Sequence, residues 1–205
     1  MSFTDAAKTW NERYSREDFL FGEAPNAFLA ASKAWLVPGG RALSVADGEG
    51  RNSVWLARQG LEVDAFDIST VAVDKARGLA ARQGVAVRHA LADVLQLEWP
   101  TACYDLIAAI FIQFASPAER ALIFRGMVGA LRPGGVLLLQ GYRPEQLAYR
   151  TGGPPFAENL YTEPMLREAF AELDIRHLAS HDDIVREGDG HSGMSALIDL
   201  VAVKP

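Results

Sequence analysis

The segment Ala42-Leu-Ser-Val-Ala-Asp-Gly-Glu-Gly-Arg-Asn-Ser-Val-Trp-Leu-Ala-Arg-Gln-Gly60 constrains this chain more than any other. An apolar strand runs into a Gly-x-Gly turn and passes directly into a short helix, which Gly60 closes with a residue suited to a left-handed cap. Gly48 and Gly50 carry no Cβ, so the backbone can take unusual φ/ψ values and let a ligand lie against it. The first amides of the helix face that ligand unpaired. Gly-x-Gly also serves as a plain strand-to-helix connection, so the turn is informative only in context. Leu61-Glu-Val-Asp-Ala-Phe-Asp67 supplies that context. It is a second strand ending in a carboxylate, near the usual ~20 residues beyond the first glycine, where an acid accepts both ribose hydroxyls. Asp67 is the leading ligand-binding residue, because its competing role as a helix cap is already filled by Ser69 and Thr70.

From Leu43 to Tyr142 apolar runs alternate with helical segments, the signature of βαβ units and a parallel sheet covered on both faces. Strands are predicted at 43–46, 62–66, 86–90, 104–110 and 135–141, with helices at 52–59, 70–83 and 117–131. Ser116-Pro-Ala-Glu119 opens the last helix with Ser at the cap, Pro at the first position and Glu at the third. Leu131-Arg-Pro-Gly-Gly135 breaks it and returns the chain into the next apolar run. Ahead of the sheet come a helix around Asp5–Tyr14, a loop containing Phe21-Gly-Glu-Ala-Pro25 and a helix over Asn26–Leu36, which together are expected to cover the ligand edge. After it come a helix at Glu163–Ala171 and strands at 175–185 and 195–203, joined by Glu187-Gly-Asp-Gly-His-Ser-Gly193. That joint is too short for a parallel crossover, so the pair should be antiparallel. The expected architecture is α/β: a Rossmann-like, doubly wound seven-stranded sheet, mostly parallel with a C-terminal antiparallel pair, and helices on both faces. One domain is expected over 1–205, with a helical lid at 1–40, a ligand-binding core at 41–142 and an acceptor-side part at 143–205.

Composition bounds the partners. A net charge of −6 over 205 residues, with a pI near 5.2 and no run of Lys or Arg, argues against a nucleic-acid surface and for small molecules. Cys103 is the only cysteine, which excludes an internal disulfide. Apolar runs are of strand length, so no membrane span is expected. The polar start Met1-Ser-Phe-Thr-Asp-Ala has no signal-peptide core, which makes cytoplasmic residence the default expectation.

In order and spacing these pieces resemble the class I S-adenosylmethionine-dependent methyltransferases over nearly the whole chain. Ala46-Asp-Gly-Glu-Gly50 resembles their first motif, and Asp67 the acid closing their second strand. Ala92-Asp93 resembles the position that reaches the adenine amino group, Tyr104-Asp-Leu-Ile-Ala-Ala-Ile-Phe111 their fourth strand, and Leu131-Arg-Pro-Gly-Gly135 their turn into the fifth. Trp10-Asn-Glu-Arg-Tyr14, Phe21-Gly-Glu-Ala-Pro-Asn26 and Gly48–Ala57 resemble the small bacterial tellurite-resistance and thiopurine branch. The resemblance implies S-adenosylmethionine as cofactor, held by Ala46, Asp47, Gly48, Glu49, Gly50, Asn52, Asp67, Ile68, Ala92, Asp93 and Phe111. It implies methyl transfer to a small molecule, with thiol, selenium or tellurium compounds as candidate acceptors and S-adenosylhomocysteine as product. Two positions depart from the pattern. Ala46 replaces the usual first glycine, at little cost provided its φ is negative, and Ser44 replaces a common acid, leaving the methionine end to Asp47 or Glu49.

On the acceptor side, Tyr14, Phe21 and Tyr142 could border the methyl group through cation–π contact, or simply pack the lid. Arg143 follows the fifth strand and could orient an anionic acceptor. Phe111-Ile-Gln-Phe114 is expected to line the cavity. His177 and His181 lack a third ligand at zinc spacing, so no metal is expected. His191, in the glycine-rich joint, reads equally as a turn residue and as one folding towards the site. A nicotinamide oxidoreductase is the weaker alternative, since Ser53 stands where a dinucleotide fingerprint has Gly or Ala. A non-catalytic cofactor-binding sensor or scaffold is another, because methyl transfer needs no signature catalytic residue.

Overall fold

The apolar runs assemble into a seven-stranded sheet of β1 (Arg41–Val45), β2 (Glu62–Asp67), β3 (Val87–Leu91), β4 (Tyr104–Ile110), β5 (Leu131–Tyr142), β6 (Asp174–Glu187) and β7 (His191–Val203). The order across it is β3-β2-β1-β4-β5-β7-β6, with β7 antiparallel to both neighbours and the other pairs parallel. This is a computed structural model; it describes residues 3–205, and the side chains of residues 6–205. Met1 and Ser2 of the polar start lie outside the described residues.

Alternate residues of each strand point to opposite faces. Leu106 and Ala108 of β4 therefore join a layer with Leu29 and Leu56, while Ile107 and Ala109 join the opposite layer with Phe124 and Met127. Both layers are apolar, which is why β4 reads as an unbroken apolar run. The first layer is built by α2 (Ala27–Ala31), α3 (Arg51–Arg58) and α4 (Thr70–Arg82), the second by α5 (Pro117–Ala130) and α7 (Glu163–Ala169). The helix α1 (Phe3–Tyr14) and the loop after it bring Tyr14 and Leu20 against Ala72 of α4. A short α6 (Gln146–Tyr149) follows β5. Among the described residues no helix is long and apolar enough to cross a membrane.

Three expectations shift. Asn26 is the cap of α2 rather than part of it, accepting from the Leu29 amide at 2.9 Å, and the helix ends in a 3₁₀ turn at Ser32–Trp35. The break at 131–135 is a bulge inside β5. Leu131 already pairs with Tyr104, the register then jumps to Val136 opposite Leu106, and Gly134 takes φ +79° with its amide on the Lys204 carbonyl. Lys204 stabilises that corner further, its Nζ donating to the Val128 and Leu131 carbonyls that the end of α5 leaves free. The C-terminal hairpin is longer than read. Glu187 pairs with His191, so the turn is only Gly188-Asp189-Gly190, and the Ser and Gly residues expected in a loop run the ladder instead. β1 lies between β2 and β4, where the chain reverses its direction of winding. That reversal opens a crevice beyond the carboxyl ends of these strands, and ligands of open α/β sheets bind there.

Candidate active site

The glycine turn fills that crevice's first side. Beyond Val45 the chain turns through Ala46 (φ +48°), Gly48 (φ +60°) and Gly50 (φ +92°), and α3 starts directly after Gly50. A Cβ on Gly50 would come within 2.7 Å of the Ala76 Cβ, so glycine there is a condition for α3 and α4 to approach. A Cβ on Gly48 would meet the Tyr14 hydroxyl at 3.0 Å. The positive φ of Ala46 corrects the expectation of a negative one. An L-residue in that region carries strain that glycine would not.

Asp67 reaches this turn from the end of β2. One carboxylate oxygen accepts from the Gly48 amide and the other from the Ser69 amide, each at 2.9 Å. Each oxygen keeps a lone pair free, enough to receive a ribose hydroxyl. Burial, partly offset by those amides, pushes the carboxyl above its usual range. Ser69 caps α4 by accepting from the Ala72 amide at 3.1 Å, so Asp67 is not needed as a cap. Ile68 lies between them, and the Ala92 amide donates to the Asp67 carbonyl at 3.0 Å. Asp93, next along, accepts from the Leu95 amide at 3.0 Å and from Gln96 at 3.1 Å in its own turn.

Both residues expected to hold the methionine end are engaged elsewhere. Asp47 is buried and turned beneath the loop, where it accepts from the Ser44 hydroxyl at 2.6 Å, the Ser53 amide at 3.2 Å and the Ser53 hydroxyl. Glu49, also buried, accepts from the Leu20 amide and from Lys75, both at 2.8 Å. It thereby fastens the N-terminal loop to α4. Asn52 accepts from the Asn26 amide at 3.0 Å.

The second side of the crevice is aromatic and comes from four distant segments. Phe111 (φ +56°) stacks on Tyr142 with centroids 4.6 Å apart, and His191 lies 4.4 Å from Phe111 and 4.3 Å from Phe21. Tyr14 stacks on Trp10 at 5.4 Å and meets Phe21 edge-on at 6.3 Å, so the lid packing and the turn share one ring system. Burial drives the Tyr14 hydroxyl well above its usual range, with Asp67 and Glu49 adding to it, and the Tyr142 hydroxyl rises for the same first reason. Phe114 is exposed, so of the expected Phe111–Phe114 lining Phe111 supplies the ring.

Charge enters this side through a pair that sequence reading missed. Arg51 on α3 bonds Glu187 at the hairpin tip at 2.6 Å, both side chains being buried. Glu187 also accepts from the Asn26 side chain at 2.9 Å and the Ala27 amide at 3.2 Å. Burial works to raise its carboxyl, but His191 and the Arg51 guanidinium outweigh that and hold it at about 2. His191 stays below the usual histidine range, mainly through burial. Arg143 is not in this group. Its guanidinium donates to the Leu197 carbonyl at 3.0 Å and to Asp182, and pairs with Glu145 at 3.2 Å, so it braces the hairpin rather than facing the crevice. Among the described residues no cluster of His, Cys, Asp or Glu could hold a metal ion. His181 pairs with Asp199 at 2.9 Å, and Cys103 contacts Arg41 at 2.9 Å at the far end of the sheet.

The residues present fit a nucleoside cofactor with a positively charged reactive end. There is a carboxylate against a glycine turn on one side and a cluster of packed rings on the other. Residues 42–135 match the family model described as a methyltransferase domain. An uncharacterised protein of Mycobacterium tuberculosis (strain ATCC 25618 / H37Rv) is 30% identical over 185 residues, which cover 88% of this chain and 64% of that protein. The chain thus spans under two thirds of that relative's length. Three solved structures are similar in fold. The first, from work on converting a disulfide bond into a thioacetal group during echinomycin biosynthesis, has TM-score 0.77 and 20% identity, covering 100% of this chain and 91% of that one. TehB from Haemophilus influenzae has TM-score 0.73 and 15% identity, covering 97% and 67%. The N-methyltransferase NodS from Bradyrhizobium japonicum WM9, in complex with S-adenosylhomocysteine, has TM-score 0.71 and 15% identity, covering 97% and 98%.

Proposed function

We propose, for a chain whose residues 42–135 are a methyltransferase domain carried on the class I methyltransferase fold, that it transfers a methyl group from S-adenosylmethionine to a small-molecule acceptor. The observation that carries this reading is Asp67 bonded to the Gly48 amide at the switch point of the sheet. In this reading Asp67 accepts the ribose hydroxyls and Asp93 reaches the adenine. Tyr14, Phe21, Phe111 and Tyr142 border the sulfonium, where cation–π attraction is worth about 0.5–2 kcal/mol. When bound, the cofactor would supply an electrophilic methyl on a positively charged sulfur, open to attack by an acceptor lone pair with the carbon–sulfur electron pair leaving on sulfur. The protein's contribution is chiefly to hold nucleophile and methyl in line, worth of the order of 7–11 kcal/mol in well-oriented reactions. A thiol, selenol or tellurium oxyanion needs no strong base for this step, and those remain the candidate acceptors. Cytoplasmic residence and partners confined to small molecules belong to the same reading, supported by the acidic charge.

Titration calorimetry with S-adenosylmethionine, S-adenosylhomocysteine and NAD, repeated on Asp67→Ala, tests it. Micromolar binding of both sulfur ligands, lost in the variant and absent for NAD, is the expected result. Binding of NAD alone would overturn it. Tight binding with no methyl transfer to any acceptor class would leave a sensor or scaffold instead of an enzyme.

A further inference from the structure

Two buried donors on the aromatic side of the crevice, Arg51 Nη1 and the Tyr142 hydroxyl, have no hydrogen-bond partner, and buried His191 Nδ1 has only the distant Glu187 carboxylate. Their side chains come from α3, β5 and β7, yet they meet around one group. Arg51 Nη2 bonds a Glu187 oxygen at 2.6 Å, His191 Nδ1 stands 3.7 Å from that same oxygen, and the Tyr142 and His191 rings are 5.7 Å apart. Leaving a buried donor unsatisfied costs about 1–3 kcal/mol each; His89 Nδ1 beneath the turn and the Tyr161 hydroxyl are unpartnered as well, but singly, whereas the polar side chains of the turn itself are paired. Asp47, Glu49, Asn52 and Asp67 are all hydrogen-bonded. A guanidinium N–H and a phenol O–H are donors, so what is missing here is an acceptor-rich group.

We propose that the methyl acceptor is a small carboxylic acid whose carboxylate is bound by Arg51 and Tyr142, with His191 taking up a proton as it enters. The proposal rests on the methyl-transfer reading and narrows it to a substrate class. Charge balance supports the proton. With no cofactor, or with the uncharged sulfur of S-adenosylhomocysteine, Arg51 and Glu187 cancel, so an added carboxylate would leave a buried excess of one negative charge, which a buried site does not accept. Protonated His191 restores neutrality as a quartet of two cations and two anions, and its Nδ1 lies near enough to Glu187 to close into a hydrogen bond. The charged and titratable groups facing His191 are Arg51 from α3, Glu187 from β6 and, at longer range, Arg13 from α1, with the Tyr142 hydroxyl from β5. Burial and the two arginines keep the free imidazole neutral near pH 7. The carboxylate anchors and is not itself methylated; the nucleophile lies elsewhere on the acceptor.

The test uses phenylacetate and its neutral amide, phenylacetamide, as probes, titrated by calorimetry into the full chain with and without S-adenosylhomocysteine in buffers of different ionisation enthalpy. The acid should bind at least about tenfold tighter than the amide at pH 6, take up close to one proton, and weaken up to about tenfold per pH unit as pH rises. Arg51→Gln should abolish the preference while S-adenosylhomocysteine affinity stays within about twofold. Tyr142→Phe, which keeps the ring and removes only the hydroxyl, should lower acid affinity several-fold. Equal binding of acid and amide, or acid binding without proton uptake, overturns the proposal. Arg51→Gln weakening S-adenosylhomocysteine as much as the acid also overturns it, by assigning Arg51 to the cofactor's own carboxylate. Failure of S-adenosylhomocysteine alone to bind, with acid preference intact, sinks the methyl-transfer reading and leaves the acid site standing. Failure of both probes in a chain that binds S-adenosylhomocysteine does the reverse.

Discussion

Asp47 is a buried carboxylate and Glu187 a largely buried one at the rim of the same crevice, and they have opposite proton affinities. Beneath the glycine turn, Asp47 is held by neutral donors, the Ser44 and Ser53 hydroxyls and the Ser53 amide. The basic group facing it, His89 Nε2 at 3.9 Å, is itself depressed to about 4 by burial and Arg77, so it stays neutral and repays nothing. Burial wins, and Asp47 rises to about 7. At the hairpin tip Glu187 faces a guanidinium and falls to about 2. Burial is common to both, so the sign comes from the charge of the partner. Asp47 is thus sealed under the turn by short-range neutral bonds, whereas the hairpin is clamped to α3 and α2 by a charge that arrives from 136 residues away.

The largest expected effect breaks the clamp. Glu187→Ala leaves the Arg51 guanidinium buried without a counter-ion and should lower stability by about 3–5 kcal/mol, read from denaturant unfolding. A loss under about 1 kcal/mol would mean that water replaces the carboxylate, and the contrast between the two regions would collapse. On the turn side the vulnerability is steric. Gly50→Ala combines a left-handed backbone, costing roughly 1–2 kcal/mol, with a Cβ driven to 2.8 Å from the Ala76 Cα. A loss of about 2–4 kcal/mol with lost cofactor affinity is expected in a paired unfolding and binding measurement.

These two sites also mark what the sequence could and could not disclose. Gly50 lies in a local pattern, strand to Gly-x-Gly to helix, and Asp67 follows at a spacing set by one βαβ unit, so both were legible. The antiparallel hairpin was legible from the shortness of its joint. Arg51 and Glu187 were not, because an ion pair between α3 and a hairpin tip has no period and no spacing rule. The signal within reach was negative. Glu187 and His191 sit beside glycines in a segment with every appearance of a loop, and four residues across a tight turn is the separation at which two ladder residues face each other. The bulge at Arg132–Gly135 was misplaced for a related reason. Pro and Gly marked the irregularity, but the distant Lys204, which holds it inside β5, lies outside any local window. Ala46 shows the limit at one residue, since a side chain compatible with both signs of φ does not announce which it takes.

The pH dependence sharpens the contrast. Asp47 titrates at about 7 in the fold against 3.8 unfolded, so between these values the native state binds the extra proton and its contribution to stability falls as pH rises from about 4 to 7, while neighbouring His89, lowered from 6.5 to about 4, contributes a rise between about 4 and 6.5. Glu187 runs the other way. Its carboxyl moves from 4.5 to about 2, and the stability it contributes is fully present above pH 4.5 and lost as pH falls towards 2. Asp47→Asn should remove the falling component, shifting the stability change across that window upward by about 1–3 kcal/mol in unfolding curves taken at several pH values. A smaller falling component should persist in the variant, because Asp67 is raised as well, set against the rising one from His89. An unchanged slope would show that Asp47 is ionised in the fold and that the neutral seal is not what distinguishes the turn.

The smallest effect concerns Ala46, where the strand enters the turn at φ +48°. Relieving a left-handed L-residue is worth roughly 1–2 kcal/mol, and the extra backbone freedom that glycine loses on folding takes back about 0.5–1 kcal/mol. Ala46→Gly should therefore stabilise the chain by about 0.5–1 kcal/mol, a rise of a few degrees in Tm. The gain should be independent of pH, unlike anything done to Asp47. The same change frees the backbone beside the crevice, so cofactor affinity is expected to hold or fall slightly while stability rises. If Ala46→Gly instead lowers stability, the methyl group packs well enough against its neighbours to outweigh the strain. The turn would then be held by side-chain contact as the hairpin tip is, and the division between a backbone-limited and a charge-limited side of the crevice would not survive.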